Sequence, residues 1–265
     1  MIQIGCCTPV PIDAESRGKV LRIREAGFDY VEYGVQGCAA LTPGQLAEAV
    51  RFTREEGLPC RVMNGFIPGS IPLVGPEADL GKARRFLEKA FPAVSAFGAE
   101  TIVFGSGAAR RTPPGFPKEL ARSQLVSFLR LAETYCEDFD ISIAIEPLCV
   151  AECNTLNTVM DGFWLAEETN RPHIRLLADY YHIRRNREDL LDLFSAKRML
   201  RHVHTANCGD RCIPREENRE EQRRLFAALR AAGYDGTVSI EGGAKASFES
   251  EIRDAGRILR EILVD

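Results

Sequence analysis

The chain predicts an α/β fold, a single-domain (β/α)8 TIM barrel, from its length, its eight short strand-like runs and the amphipathic stretches between them. At 265 residues it is close to the usual size of one such barrel, so a single domain over residues 1–265 with one large core is expected. The runs are short, apolar and rich in β-branched residues, and each is followed by a segment of helical spacing. Eight βα units joined by right-handed crossovers close into a barrel more naturally than they spread into an open doubly wound sheet.

The strands are expected at 2–7, 30–33, 60–64, 101–105, 142–146, 175–179, 202–205 and 237–241. Between them, helical periodicity runs over 15–26, 43–56, 81–97, 118–137 and 217–231. Gly27, Gly57, Gly98 and Gly233 stand where a helix ends in a left-handed residue before the next strand. The connections after strands three, five and seven, at 65–78, 147–155 and 206–216, are long and irregular. All three leave the C-terminal end of a strand, the face on which barrels bind substrates.

Composition narrows the class of function. Hydrophobic residues make up 45% and charged residues 27%, ordinary values for a soluble globular chain. The formal net charge is −4 and the basic residues are scattered, so no stripe exists for a nucleic-acid backbone. No segment approaches the roughly eighteen apolar residues of a membrane span, and the N-terminus lacks a signal-peptide pattern. A cytoplasmic protein with no membrane partner is expected. Nine cysteines, an odd number without CxxC spacing, read as reduced thiols, and neither C-x3-C pair (Cys149/Cys153, Cys208/Cys212) has structural-zinc spacing.

Four strands in succession end in a potential metal ligand: Ile-Ala-Ile-Glu146, Leu-Leu-Ala-Asp179, His202-Val-His204 and Val-Ser-Ile-Glu241. One carboxylate at a strand end is commonly a helix cap or half of a salt bridge. Three carboxylates and an imidazole at the same end of four neighbouring strands are costly unless a cation offsets them. Oxygen-rich ligation with one histidine suits one hard or borderline divalent ion, with Mn²⁺ expected and Mg²⁺ or Co²⁺ as alternatives. His202 faces the same way as His204 but one layer deeper, which makes it a core or supporting histidine. Phe66, Ile67 and Trp164 are candidate pocket walls, although aromatic or apolar residues after a strand or on a helix are more often core, the reading expected here.

These residues carry a resemblance. Glu146-Pro-Leu with Glu152 six residues on, Leu156-Asn157-Thr158, Asp179-Tyr-Tyr-His182, His204 with Arg211-Cys-Ile-Pro214, and Ile240-Glu241-Gly242 look like the xylose-isomerase-like sugar isomerase/epimerase superfamily, and within it the ketose 3-epimerase (D-tagatose/D-psicose 3-epimerase) group. The similarity spans the barrel and is most specific from Glu146 to Glu241. It implies that Glu146, Asp179, His204 and Glu241 bind one metal, and that Glu146 and Glu241 are the acid/base pair of an epimerase or isomerase working through an enediolate. It also implies that Glu152, His182 and Arg211 hold a small sugar or polyol, and that the protein is a homodimer or homotetramer.

The chain departs from that pattern in three places. One extra residue separates His204 from Arg211, Cys6-Cys7 stands where the epimerases carry aromatic residues, and Val150 replaces a common arginine. Gly242-Gly243 with Lys245 is the position at which many barrels cradle a phosphate, a reading the free-sugar members of the group disfavour. A hydroxypyruvate- or inosose-type isomerase or dehydratase uses the same site chemistry. An apurinic-site endonuclease-like enzyme shares the ligand types but needs further histidines on early strands, where this chain has Asn64 and Ser106 and no histidine before His173.

Overall fold

A computed structural model describes residues 1–264. Its eight parallel strands close in sequence order, β1 to β8, with β8 paired back to β1. They are β1 (Gln3–Cys7), β2 (Tyr30–Gly34), β3 (Cys60–Asn64), β4 (Thr101–Phe104), β5 (Ser142–Ile145), β6 (Ile174–Asp179), β7 (Leu200–Thr205) and β8 (Thr237–Ile240). The expected strands all exist, β3 with the expected bounds and the others with an end displaced by one or two residues. Glu146 and Glu241 fall one residue beyond β5 and β8, yet their amides still donate to Phe104 O and Thr205 O on the neighbouring strands.

The outer layer is α1 (Ala14–Glu25), α2 (Val35–Ala39), α3 (Pro43–Glu55), α4 (Leu80–Ala96), α5 (Lys118–Phe139), α6 (Val159–Thr169), α7 (Tyr180–Asn186), α8 (Asp192–Ala196), α9 (Arg219–Ala231) and α10 (Phe248–Val264). The expected helix over 217–231 begins two residues later because a 3-10 turn, Glu216–Asn218, precedes it. Gly27, Gly57, Gly98 and Gly233 have φ of 82°, 67°, 76° and 73°, the left-handed stop that glycine adopts without a Cβ penalty. Where no glycine follows, α5 and α6 end on Asp140 and Asn170 in the same conformation.

Strand alternation divides the core in two. Outward-facing Ile4, Val31, Ile102, Ile143, Leu176 and Val203 pack under the helices, while Tyr30, Val62, Val103, Ala144 and Leu177 fill the barrel interior. Tyr30 crosses that interior to Ser239, with hydroxyls 2.9 Å apart. It passes so close to Gly5 that a Cβ there would lie 2.2 Å from its ring. Phe66 sits on the outer side among Phe91, Phe104 and Phe128, at centroid distances of 6.1, 6.3 and 6.1 Å. Phe66 and Ile67 are thus core as expected. Trp164 is not: it is 56% exposed on the outer face of α6, since the helix buries its neighbours Phe163 and Leu165 instead.

The loop after β4, residues 105–117, is as long as the three expected ones and was not marked by sequence. Arg110, fully buried within it, donates to the carbonyls of Gly105 at 2.5 Å and Glu146 at 2.6 Å, and to that of Thr155. One guanidinium therefore ties the mouths of β4 and β5 to the following loop. The nine cysteines are free thiols. No helix among the described residues is long and apolar enough to cross a membrane.

Candidate active site

Glu146, Asp179, His204 and Glu241 converge at the C-terminal mouth of the barrel, with one ligand-type atom from each lying within 4.8 Å of the others. Their convergence follows from register. Asp179 pairs with His204 across β6 and β7, and Glu146 and Glu241 directly follow the two flanking strands, β5 and β8, with the same inward parity. Asp179 serves twice: Oδ1 caps α7 by accepting from Tyr181 N at 2.7 Å, while Oδ2 faces the cluster. His204 Nδ1 lies 3.3 Å from Glu146 Oε1 and 3.6 Å from Glu241 Oε2.

The other ring nitrogen explains a residue that sequence reasoning missed. His204 Nε2 donates to Glu32 Oε1 at 2.9 Å, and His202 Nε2 donates to Glu32 Oε2 at 3.0 Å, with all three side chains fully buried. His202 is thus the deeper supporting histidine expected from alternation. Glu32 was legible only as an acidic residue inside the apolar run Tyr30-Val31-Glu32-Tyr33, a placement that is expensive unless partnered. It follows a register shift between Val31 and Glu32, the type of irregularity that re-aims side chains near active sites.

The electrostatics of the cup are those of crowded acidic groups around a protonated ring. Burial, with Glu146 and Glu241 beside it, pushes the Asp179 carboxyl up to about 8, because three carboxylates in one buried cup resist ionising together. Burial opposes charge on His204, yet Glu32 and Glu241 hold its pKa well above the usual imidazole range. A proton on Nδ1 then fills the position, between two carboxylates, that a metal ion would take. Three carboxylates and one imidazole lone pair around that point fit a hard or borderline divalent ion.

Arg211, Glu152 and His182 line the same cup. Arg211 Nη1 donates to Glu152 Oε1 and Nη2 to Glu241 Oε2, each at 2.7 Å, and its guanidinium lies 4.9 Å from the centre of the Tyr181 ring. The extra residue before it is absorbed in a turn. Asn207 N donates to Cys212 O and Arg211 N to Asn207 O, both at 2.9 Å, with Arg211 at φ +54°. His182 Nδ1 accepts from Cys149 N at 3.1 Å, and burial lowers its pKa to about 4. The neutral ring therefore carries its proton on Nε2, a buried atom without a hydrogen-bond partner among the described residues.

Cys149, Glu152 and His182 also lie within reach of one another, but His182 Nδ1 is already engaged by Cys149 N. The phosphate reading of Gly242-Gly243 has a structural alternative. A Cβ on Gly242 would meet the Cys212 backbone at 2.6 Å, and Gly243 bridges to Cys212, so this pair lets the loops after β7 and β8 touch. Lys245 Nζ turns to Asp210 at 3.4 Å.

Comparison with known proteins bears on the family to which the chain belongs. The chain is 27% identical over 231 residues to the 3-dehydro-D-guloside 4-epimerase of Escherichia coli (strain K12), covering 84% of this chain and 86% of that one. It is 26% identical over 258 residues to a ketose 3-epimerase of Arthrobacter globiformis, covering 95% and 85%. The crystal structure of the 3-keto-D-glucoside 4-epimerase from E. coli superposes with a TM-score of 0.82 over the whole of both chains at 22% identity. That of a D-allulose 3-epimerase from Methylomonas sp., in complex with D-allulose, gives 0.82 over 99% of this chain and 96% of the other, also at 22% identity. The family described as xylose isomerase-like TIM barrel matches residues 20–262, and the chain belongs to that family, among relatives that are sugar epimerases.

Proposed function

We propose that the protein is a divalent-metal-dependent sugar epimerase that inverts a carbon beside a carbonyl on a small ketose or keto-sugar. The observation that carries this reading is the cup itself: Glu146, Asp179, His204 and Glu241 within 4.8 Å of one another, with His204 Nδ1 between two carboxylates. The relatives' names support the substrate class. A ketose 3-epimerase and a 3-dehydro-D-guloside 4-epimerase both invert a carbon next to a carbonyl.

The cation, Mn²⁺ in first place with Mg²⁺ or Co²⁺ as alternatives, supplies the positive charge that polarises a carbonyl and makes the neighbouring C–H acidic. The chain's residues do the rest. One of Glu146 and Glu241 takes the proton from one face of that carbon, and the other returns a proton to the opposite face, so configuration inverts and the proton count is unchanged. Delivery to the adjacent carbon would give aldose–ketose isomerisation instead. His182 Nε2–H, a buried donor without a partner, is satisfied by a substrate oxygen. Arg211 and Glu152, already paired at 2.7 Å, offer a fork of donors and an acceptor to hydroxyls.

The test couples metal analysis with a substrate screen. Protein purified without chelator is expected to hold about one Mn, Mg or Co per chain and to interconvert ketoses only with that metal present. Two or three zinc ions per chain would favour phosphodiester chemistry, and turnover of hydroxypyruvate or an inosose in place of ketoses would move the reading to those isomerases or dehydratases. Glu241→Gln is expected to lower turnover by about 100- to 10,000-fold, the usual worth of a positioned acid or base. Unchanged turnover would remove Glu241 from the mechanism.

A further inference from the structure

We propose that Glu32, backed by His202 and Thr237, is a positioning residue that fixes the tautomer and ring plane of His204 and thereby sets the affinity of the site for its cation. The proposal rests on the metal-site reading above and concerns residues outside the four proposed ligands.

The argument is one of donors and acceptors. A chain of hydrogen bonds descends the barrel interior: His204 Nε2 to Glu32 Oε1 at 2.9 Å, His202 Nε2 to Glu32 Oε2 at 3.0 Å, and Thr237 Oγ1 against His202 Nδ1 at 2.8 Å. An ionised carboxylate only accepts, so both rings must present N–H to Glu32. His204 Nε2–H leaves the Nδ1 lone pair as its one route to a metal. His202 Nε2–H leaves its Nδ1 as an acceptor, which the Thr237 hydroxyl satisfies. With His202 neutral and a cation in place of the proton on His204 Nδ1, each link has one consistent proton placement, read upward from the hydroxyl of β8 to the lone pair at the cup.

Packing holds the geometry as well as the protons. Glu32, His202 and His204 are fully buried, and the two rings stand nearly perpendicular, at 87° with centroids 4.9 Å apart. Rotation of His204 away from the cup would break its bond to Glu32 and leave two fully buried polar groups unpaired. A carboxylate behind a ligating histidine raises its basicity and orients it, and loss of such a partner typically costs about 10- to 100-fold in metal affinity.

Glu32→Gln keeps the shape and destroys the pattern. Its amide oxygen can accept from one ring, but its NH₂ then faces the other ring's N–H, so one of the two histidines must change tautomer or turn. The experiment measures Mn²⁺ dissociation constants on chelator-stripped protein, together with ¹⁵N–¹H long-range spectra of labelled histidines in the Mg²⁺-loaded protein. The wild type is expected to show Nε2-protonated His202 and His204. Glu32→Gln is expected to bind Mn²⁺ about 10- to 100-fold more weakly, with one ring leaving that tautomer.

His202→Leu, which removes one donor and leaves Glu32 Oε2 unpaired, is expected to weaken Mn²⁺ binding in the same direction. His202→Gln, which retains a donor toward Glu32 and an acceptor for Thr237, is expected to recover most of the affinity, a rescue that loss of packing alone would not give. Should Glu32→Gln fail to fold, the His202 pair decides. Dissociation constants within twofold of wild type with unchanged tautomers would overturn the proposal. A wild type that binds no Mn²⁺, Mg²⁺ or Co²⁺ would instead overturn the metal site on which it rests.

Discussion

Gly105 shows how narrow the tolerances around the site are. It stands at the mouth of β4, and a Cβ there would lie 2.2 Å from Glu146 Oε2. The clash is with the tip of a side chain, so Gly105→Ala is expected to leave the melting temperature close to wild type while displacing the Glu146 carboxylate. A misplacement of about 1 Å costs on the order of 100-fold in rate, and turnover by the variant should fall by about that factor. Wild-type turnover in a folded Gly105→Ala protein would show that Glu146 does not need the position seen here. Of the side chains in the cup, the four at strand ends were legible because carboxylates and imidazoles terminate apolar strands. Glu32 and Arg110 were not, since each is a charged residue whose partners come from distant parts of the chain: Glu32 from β7, Arg110 from three carbonyls.

Among the elements, α10 closes the barrel by packing on α1, and the contact depends on Gly256. A Cβ there would lie 2.3 Å from Ala26 O, a backbone atom that cannot step aside. Gly256→Ala is therefore expected to cost about 1–3 kcal/mol, the usual penalty of overpacking, read as a lower midpoint in denaturant with an unchanged slope. The start of α6 carries a pH signal. Glu188 Oε2 accepts from Val159 N at 2.7 Å, and burial, with Asp192 and Asp161 nearby, raises its carboxyl from 4.5 to about 7. Between those values the folded chain binds more protons than the unfolded one. The contribution of this group is then present in full below about 4.5 and lost as pH rises through about 7. Glu188→Gln, neutral at every pH and still an acceptor for Val159, should melt higher than wild type at pH 8, with the gap closing toward pH 5; a gap independent of pH would contradict the assignment. The long loop after β4 has local turns at Ser106 and at Pro113–Phe116, but its attachment to the mouth of β5 comes from Arg110, whose carbonyl partners lie far along the chain.

At the scale of the whole molecule the two ends of the barrel have different chemistry. The N-terminal end carries half-exposed pairs such as Arg61 with Glu100 at 2.8 Å and Arg201 with Glu100 at 3.4 Å, contacts that contribute little each. The C-terminal end gathers Glu146, Asp179 and Glu241 in one cup, where the proposed cation would offset their charge. A ligand that binds only the folded state stabilises it by about 2.7 kcal/mol at one hundred times its dissociation constant. Saturating Mn²⁺ should accordingly raise the melting temperature and excess chelator should reverse the rise, whereas a melting temperature indifferent to both would argue against metal binding by the cup. The sequence by itself determined the eight alternating units, the glycine stops and the four strand-end ligand candidates, because periodicity and strand-end residue type are local properties of the chain. Only the tertiary structure decided that Glu32 stands behind His204, that His182 is a donor, that Arg110 clasps two strand mouths and that Arg211 reaches the cup despite an added residue. Each of these depends on atoms brought together across the barrel at hydrogen-bond distance, and the register that sets such distances belongs to the closed sheet.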